Sequence, residues 1–316
     1  MRIIGPFQHG STFFGGREIY FQNGEASVPD EIGNELIKRP GYRRKDVPTP
    51  PSLSILPRVP VQLSLNSNFK INTLMKYRDD IDVSIIVPTY NRLDDIQICV
   101  DSIYEFTKEI TYEIIIVDGI GNACERFKDH TPVVYIRDED NFGAAHAFNI
   151  GFKNAMGKWI VWLNDDVLVT KDWLKIALDF MNNNPKVGLG AIFFRELDEK
   201  GNSIIYNFNS IYDGEYCSRT FAPWTIHSSR TYANFGILKT SLMKELNYFD
   251  EKTFSCYACD TDFSHRVVAR GLRVAPIYGS RIIHLNRQDE NRKRNLEVNK
   301  GYSEDHAKYI DRWSSK

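Results

Sequence analysis

NFGAAHAFNIGFKNAMGKWIVWLNDDV, residues 141–167, holds the reading on which the fold turns. Its first half, GAAHAFNIGFKNAM, has the composition of a helix and ends near Gly157. Its second half, KWIVWLNDD, is an apolar run that stops at Asn164, Asp165 and Asp166. A short run of β-branched and aromatic residues, bounded by a glycine on one side and charge on the other, reads as a strand buried on both faces. Two adjacent carboxylates are costly inside a core. The strand is therefore expected to end where they can be used, at the ligand edge of a sheet.

The same alternation extends upstream. DVSIIVPTY (82–90) reads as a first strand, LDDIQICVDSIYEFT (93–107) as a helix through Ile96, Val100 and Ile103, YEIIIVDG (112–119) as a second strand and TPVVYIRDED (131–140) as a third. Strands separated by helices predict an α/β fold: a mostly parallel sheet with helices on both faces, whose ligands lie outside the carboxyl ends of the strands. Those ends carry Thr89-Tyr90-Asn91-Arg92, Asp118-Gly119, the Asn141 to Gly143 turn, and Asn164-Asp165-Asp166. One such ending is what any turn uses. Four at one edge make a crevice for a polar, phosphorylated ligand. The first strand-helix turn lacks G-x-G-x-x-G, which argues against a dinucleotide.

With 316 residues, 42% of them hydrophobic, the chain can bury one large core and a small extra module. Its 40 basic and 41 acidic residues give no whole-molecule field toward nucleic acid or an anionic membrane. No stretch has the apolar length of a signal core or a membrane span, and five cysteines form no disulfide framework, so the chain reads as soluble and cytoplasmic. CYAC (256–259) lacks the second pair of ligands a zinc site needs. Residues 1–45 read as a small α+β module with a turn at Asn23-Gly24 and a short helix opened by Pro29 and Asp30. Residues 46–80 read as a proline-rich extended linker, 81–285 as the main domain, and 286–316 as a charged, partly helical tail. The basic cluster Arg287, Arg292, Lys293 and Arg294 in that tail reads as a solvated helix face.

Taken in order, the motifs of residues 83–285 resemble the inverting family 2 nucleotide-sugar glycosyltransferases of the GT-A (Rossmann-like) fold. VSIIVPTYNR is similar to that family's opening strand and EIIIVDG to its second. The stretch from Asn141 to Val167 resembles its two N-x-G elements followed by the Asp-x-Asp region. NYFDEKTFSCYACDTDFSHRVVARGLRV resembles its Phe-Asp-Glu and Glu-Asp-x-Asp segments, and GSRIIH its late histidine. The resemblance implies a nucleoside diphosphate sugar donor, a UDP-sugar first among them, and an acceptor with a free hydroxyl on a glycan, a protein or a modified nucleic acid. It implies Asp260 as the base that deprotonates the acceptor, and Asp166 with His284 as ligands of a divalent cation, Mn2+ or Mg2+, on the diphosphate. Pro88, Thr89, Tyr90, Arg92, Asp118, Gly143, Asn164 and Asp165 then line the donor. The backbone at Gly143 is expected to approach it, since no Cβ intervenes.

Three departures stand out: Asn164 for the first acid of Asp-x-Asp, Cys259 for the glutamate before Asp260, and Gly119 for a second aspartate. The first two motivate an alternative, a sugar- or nucleotide-binding protein of the same fold with weak or no turnover. Asp165 and Asp166 have a plainer reading as caps of the helix in TKDWLKIALDFM, and Asp260 or Asp262 as the cap of the helix through Phe263. FAPWTIHSSRTYANFG (221–236) offers Trp224 and His227 to an acceptor, and Asp262 joins them. The ending YIDRW is similar to a terminal element of some family members that packs on the domain. Residues 21–43 resemble short segments of phage structural proteins, which implies a phage-encoded enzyme acting on a protein or a modified nucleic acid.

Overall fold

The computed structural model describes residues 81–316, apart from 122, 128–131, 141, 199, 207–208, 289, 291, 294–296, 298–302 and 316; before residue 81 it describes only short strands and single positions. Most of the helix expected near 29–37, the proline-rich stretch 46–70, Asn141 and Arg294 lie outside the described residues. Strands β1 (Arg2–Ile4), β2 (His9–Phe14), β3 (Arg17–Gln22), β4 (Glu25–Ser27) and β5 (Arg43–Arg44) form an antiparallel sheet in the order β2-β3-β4-β1-β5. β3 meets β4 at Gln22 and Glu25, flanking the Asn23-Gly24 turn signal.

The large sheet begins with β6 (Ile71–Asn72), β7 (Val83–Thr89), β8 (Tyr112–Asp118), β9 (Val133–Arg137) and β10 (Trp159–Trp162). It continues with β11 (Val167–Val169), β12 (Val187–Glu196), β13 (Ser210–Asp213), β14 (Tyr216–Arg219), β15 (Gly236–Lys239) and β16 (Arg273–His284). The path is β11-β16-β12-β15-β10-β7-β8-β9-β6, with β14 joined to β12 and β13 to β14. The central run β10-β7-β8-β9 is parallel, as the alternating pattern predicts. Around it the sheet is mixed: β15 runs antiparallel between β10 and β12, and β16 is parallel to β12.

Seven helices are described: α1 (Leu93–Phe106), α2 (Cys124–Phe127), α3 (Ala144–Asn154), α4 (Trp173–Asn183), α5 (Thr240–Glu245), α6 (Cys259–Ala269) and α7 (Ser303–Trp313). Strand periodicity assigns them to two faces. Ile85 and Val87 of β7, Ile114 and Ile116 of β8, and Val161 of β10 pack with Ile96, Val100 and Ile103 of α1 and with Trp173 and Ala177 of α4. Their alternates, Ile86, Ile115, Val117, Ile160 and Trp162, pack with Phe148 and Phe152 of α3, Met243 of α5, and Phe263 and Val267 of α6. Tyr309 of α7 joins this second core.

The repeated N-x-G elements acquire physical reasons here. Asn149, buried in α3, donates to the Phe249 carbonyl at 2.9 Å and accepts from the Phe249 amide at 3.0 Å, fastening the NYFDE segment to the helix. Gly151 sits where a Cβ would come within 2.2 Å of Ile86 Cγ2, so α3 lies on β7 only because the side chain is absent. The second element thus builds the fold, while the first borders the site.

Candidate active site

The carboxyl ends of β7, β9, β10, β12 and β16 open into one cleft of about 960 Å3. Pro88, Thr89, Tyr90, Arg92, Gly143, Asn164, Asp165, Trp224, Asp260 and His284 all line it. A short strand, β11, separates the Asn164-Asp165-Asp166 turn from α4. The helix is capped instead at Asp172, in the left-handed region, so Asp165 and Asp166 are not its caps.

Asp165 is held from the first strand. Its Oδ2 accepts from Thr89 Oγ1 at 2.9 Å, and its Oδ1 accepts from Arg92 Nη1 at 2.9 Å. Burial raises its pKa; Arg92 opposes this and the neighbouring Asp166 charge adds to it. Asp165 thus neutralises Arg92 and fixes the β7 turn at the floor of the cleft.

Asp166 lies just behind, 3% exposed, and its Oδ2 accepts from the Arg287 amide at 3.0 Å. Its Oδ1 has no hydrogen-bond partner among the described residues and stands 3.2 Å from His284 Nε2. The Asn164 side-chain amide reaches the same Nε2 at 3.3 Å. On the far side of the ring, Nδ1 meets Glu196 Oε1 at 3.0 Å. Strand register explains the convergence: His284 is opposite Glu196 of β12 on one side and Val167 of β11, next to Asp166, on the other. Burial works to raise Asp166, yet His284 and Arg92 hold it below the carboxylate range. Burial likewise works against a charged His284, but Asp166 and Glu196 push it up to about 9. The His284 ring thus lies between two carboxylates, Asp166 at 3.2 Å and Glu196 at 3.0 Å, that favour positive charge there.

These donors fit a divalent ion. A buried carboxylate oxygen with no hydrogen bond faces an imidazole nitrogen at 3.2 Å. That separation matches neighbouring vertices of an octahedron with bonds of about 2.1 Å, roughly 3 Å apart. Glu196 on Nδ1 fixes the ring with Nε2 turned toward Asp166, the arrangement by which a carboxylate orients an imidazole ligand in metal sites. No cluster of three or more His, Cys, Asp or Glu that could hold a metal occurs among the described residues. Such an ion therefore also needs phosphate oxygens and water, as Mg2+ and Mn2+ sites on nucleotides commonly do.

Asp260, which also lines the cleft, stands in the first turn of α6. Its Oδ2 accepts from Asn234 Nδ2 at 3.1 Å, and its Oδ1 from its neighbour's amide, Thr261 N, at 2.7 Å. Burial raises it to about 6 against these neutral donors. Neither Asp260 nor Asp262 caps α6; Ala258 does, at φ 60° and with no side-chain bond. The preceding Cys259 is 5% exposed and belongs to the second core, so the family departure there is a packing residue.

Asp262 has a different place from the one expected of an acceptor residue. It is fully buried, away from the cleft lining, with Oδ2 accepting from Arg266 Nε at 2.9 Å and Oδ1 from Arg312 Nη1 and Trp313 Nε1, each at 2.9 Å. Two residues along a helix turn a side chain roughly 200° away, so Asp260 and Asp262 cannot share a face. The same α7 supplies Asp305, whose Oδ2 accepts from the amides of Cys256 at 3.1 Å and Tyr257 at 2.9 Å. α7 thus clamps both flanks of the Asp260 turn, through Asp305 on one side and through Arg312 and Trp313 of the YIDRW ending on the other.

At the β8 end of the cleft, Asp118 is also fully buried. Its oxygens accept from the amides of Ile120 at 2.9 Å and Ala123 at 2.8 Å and from Tyr135 Oη at 3.0 Å. It holds the loop after β8, and the cleft is bordered there by Gly119. The carboxylate that lines the cleft is Asp138, at the end of β9, beside the exposed Phe142. Gly143, at φ 107°, lines the cleft too, but a Cβ would meet the Ser255 carbonyl oxygen at 2.5 Å. The absent side chain therefore makes room for the loop before Asp260, rather than for a ligand alone. His146 is partly buried, 3.0 Å from Glu251 Oε2.

At the acceptor end, Trp224 borders the cleft edge-on to Tyr309 at 5.7 Å. His227 points away from it: Nδ1 meets Nδ1 of the buried His265 at 2.7 Å. Burial lowers both imidazoles, His265 to about 3. The cleft also holds Glu196, Tyr206, Arg219 and Asn234, which sequence reading missed. They come from β12, from segments around β13 and β14, and from just before β15, where no strand-helix motif flags them.

The family model for glycosyl transferase family 2 matches residues 84–244, just over half of the chain. The chain belongs to glycosyl transferase family 2. An uncharacterized glycosyltransferase of Rickettsia felis is 29% identical over 252 residues, 76% of this chain and 39% of its own length. One of Haemophilus influenzae is 32% identical over 107 residues, 33% of this chain and 36% of its own length. This family 2 chain thus spans well under two thirds of those relatives. GalNAc-T7 with UDP, GalNAc and Mn2+ superposes with a TM-score of 0.52 at 15% identity, over 69% of this chain and 48% of that one. A mannosyltransferase of Pyrobaculum calidifontis with GDP-Man and Mn2+ gives 0.50 at 17% identity, over 74% and 65%. Both share the GT-A fold with this family 2 domain. No helix among the described residues is long and apolar enough to cross a membrane.

Proposed function

We propose that this chain is a metal-dependent inverting glycosyltransferase that moves a sugar from a nucleoside diphosphate sugar, a UDP-sugar in the first instance, to an acceptor hydroxyl. The observation that carries the reading is Asp260: a carboxylate held only by neutral donors and raised to about 6, lining the same cleft as Asn164 and His284. A base must be ionised at working pH and still take a proton, which a value near 6 allows. Inversion follows when the acceptor attacks the anomeric carbon from the face opposite the leaving group, with Asp260 Oδ2 taking the hydroxyl proton. Asn234 Nδ2, at 3.1 Å, orients that oxygen.

Asp166 and His284 would hold Mn2+ or Mg2+, with Glu196 fixing the imidazole. When bound, the ion supplies Lewis-acid stabilisation to the diphosphate leaving group. Pro88, Tyr90, Gly119 and Gly143 shape the donor cradle, and Asp138 takes the role of the carboxylate facing the base. Thr89 and Arg92 act through Asp165. Trp224 offers an aromatic face to a sugar acceptor. The relatives' names and the Mn2+ and nucleotide-sugar complexes of the similar structures agree with this chemistry.

The test is nucleoside diphosphate release from a panel of nucleotide sugars with Mn2+. Turnover by the wild type that collapses in Asp260→Asn and in Asp166→Ala supports the assignment. No nucleotide binding overturns the donor reading, and turnover in both variants equal to wild type overturns the residue roles.

A further inference from the structure

The arginines of the main domain mostly face carboxylates. Arg92 pairs with Asp165, Arg195 with Glu215, Arg281 with Asp213, and Arg287 with Asp95. Arg219, at the end of β14 and on the cleft wall, has no carboxylate partner among the described residues. Its guanidinium lies over the Tyr206 ring, 3.7 Å from the centroid, and its Nη1 reaches Ser210 Oγ at 3.3 Å. Stacking of this kind fixes the plane of the fork and leaves its remaining N–H groups for an anion. Tyr206 is itself braced, its hydroxyl donating to Glu196 Oε2. The cation is therefore built into the wall, on the same support that orients His284.

Its place in the cleft says which anion it meets. The Arg219 carbonyl accepts from the Tyr232 amide at 3.0 Å, and two residues further Asn234 donates to Asp260. Burial raises the Tyr232 hydroxyl; the Asp260 charge adds to this and Arg219 opposes it, so both charges act on one phenol. A cation joined to the base through the short Tyr232–Asn234 segment is placed to meet the molecule whose proton the base removes.

Resting on the glycosyltransferase reading, we infer that Arg219 forms an anion subsite for the acceptor, and that the acceptor sugar carries a carboxylate or phosphate group beside the hydroxyl that reacts. The Arg219 fork suits either group through paired N–H···O bonds. Charge on the sugar then selects the acceptor, while Trp224 contributes an apolar face that any pyranose can use.

The experiment compares methyl β-D-glucuronide and glucose 1-phosphate with neutral methyl β-D-glucoside. Each is tested on the full chain with Mn2+ and the nucleotide sugar that the donor panel selects. Nucleoside diphosphate release is one readout; saturation-transfer NMR of each acceptor on the UDP- and Mn2+-loaded protein is the other. The expected result is a preference of tenfold or more for the anionic acceptors, the carboxylate and phosphate arms telling which anion is read. Arg219→Gln should raise the KM for the anionic acceptor at least tenfold and shift the donor KM less than twofold. Equal use of neutral and anionic acceptors, binding of none of them, or a preference that survives in Arg219→Gln overturns the subsite. A donor KM that rises instead assigns Arg219 to the diphosphate and overturns it as well. Failure of the glycosyltransferase reading is told apart by a wild type that binds no nucleotide sugar of the donor panel.

Discussion

The two faces of α6 carry the same chemical group in opposite surroundings. Asp262 faces α7, fully buried, with two arginines and an indole N–H on its oxygens. Asp260 faces the cleft with only an amide side chain and its neighbour's backbone and hydroxyl. Cationic partners compensate the Asp262 charge and turn that carboxylate into a structural rivet. Neutral donors position Asp260 without compensating it, so burial raises it to about 6 and leaves it able to accept a proton. What separates structure from chemistry here is the charge of the partners, since both groups are well hydrogen-bonded.

The strongest way to break this contrast is to exchange the consequences. Asp260→Asn should lower kcat by about 1,000-fold, within the span of general-base contributions, with melting temperature held or raised; a large fall in melting temperature would make Asp260 a rivet too. Asp262→Ala should do the reverse, costing about 3 to 5 kcal/mol of stability in denaturant unfolding, because Arg266 and Arg312 are left facing a void. Glu196→Gln should weaken Mn2+ binding 10- to 100-fold, read by titration calorimetry, since it neutralises the carboxylate that orients His284. Trp313→Phe removes one charge-assisted hydrogen bond from Asp262 and should cost about 2 kcal/mol.

The smallest effect near neutrality is the pH dependence. Asp260 must be ionised to act, so kcat/KM should rise with pH through about 6 and fall tenfold per unit below it. For stability the sign is opposite. A folded pKa raised from 3.8 to about 6 means that the native chain holds this proton where the unfolded chain has lost it. Its contribution is thus present at low pH and lost as pH rises through that window. Asp260→Asn should remove both slopes, whereas Asp262→Asn should leave the kcat/KM limb in place.

Much of this was legible in the sequence because strand ends are local. The continuous apolar runs of β7, β8 and β10 and the polar residues that stop them give the sheet and its ligand edge directly. Asp118 and Asp262 have protein partners that the motifs do not foretell, for a common reason. A motif gives the position of a carboxylate in the chain, whereas its use depends on what other segments bring to it. Tyr135 and the amides of Ile120 and Ala123 occupy Asp118; Arg312 and Trp313, fifty residues downstream, occupy Asp262. Glu196 and Arg219 were invisible for a related reason. Only the register of β12 against β16, and the excursion through β13 and β14, carry them to the cleft.

Gly143 ties the two sides of the site into one inherited unit. Its α-carbon packs so closely under the Ser255 carbonyl that any side chain there must displace the segment leading to Asp260, and Ala145 N also bonds that carbonyl at 3.1 Å. A Gly143→Ala lesion would look like a donor-binding defect. Its second-site suppressors should nonetheless arise at Ser255, Cys256 or Asp305, on the far side of the cleft, because the geometry needing repair lies there.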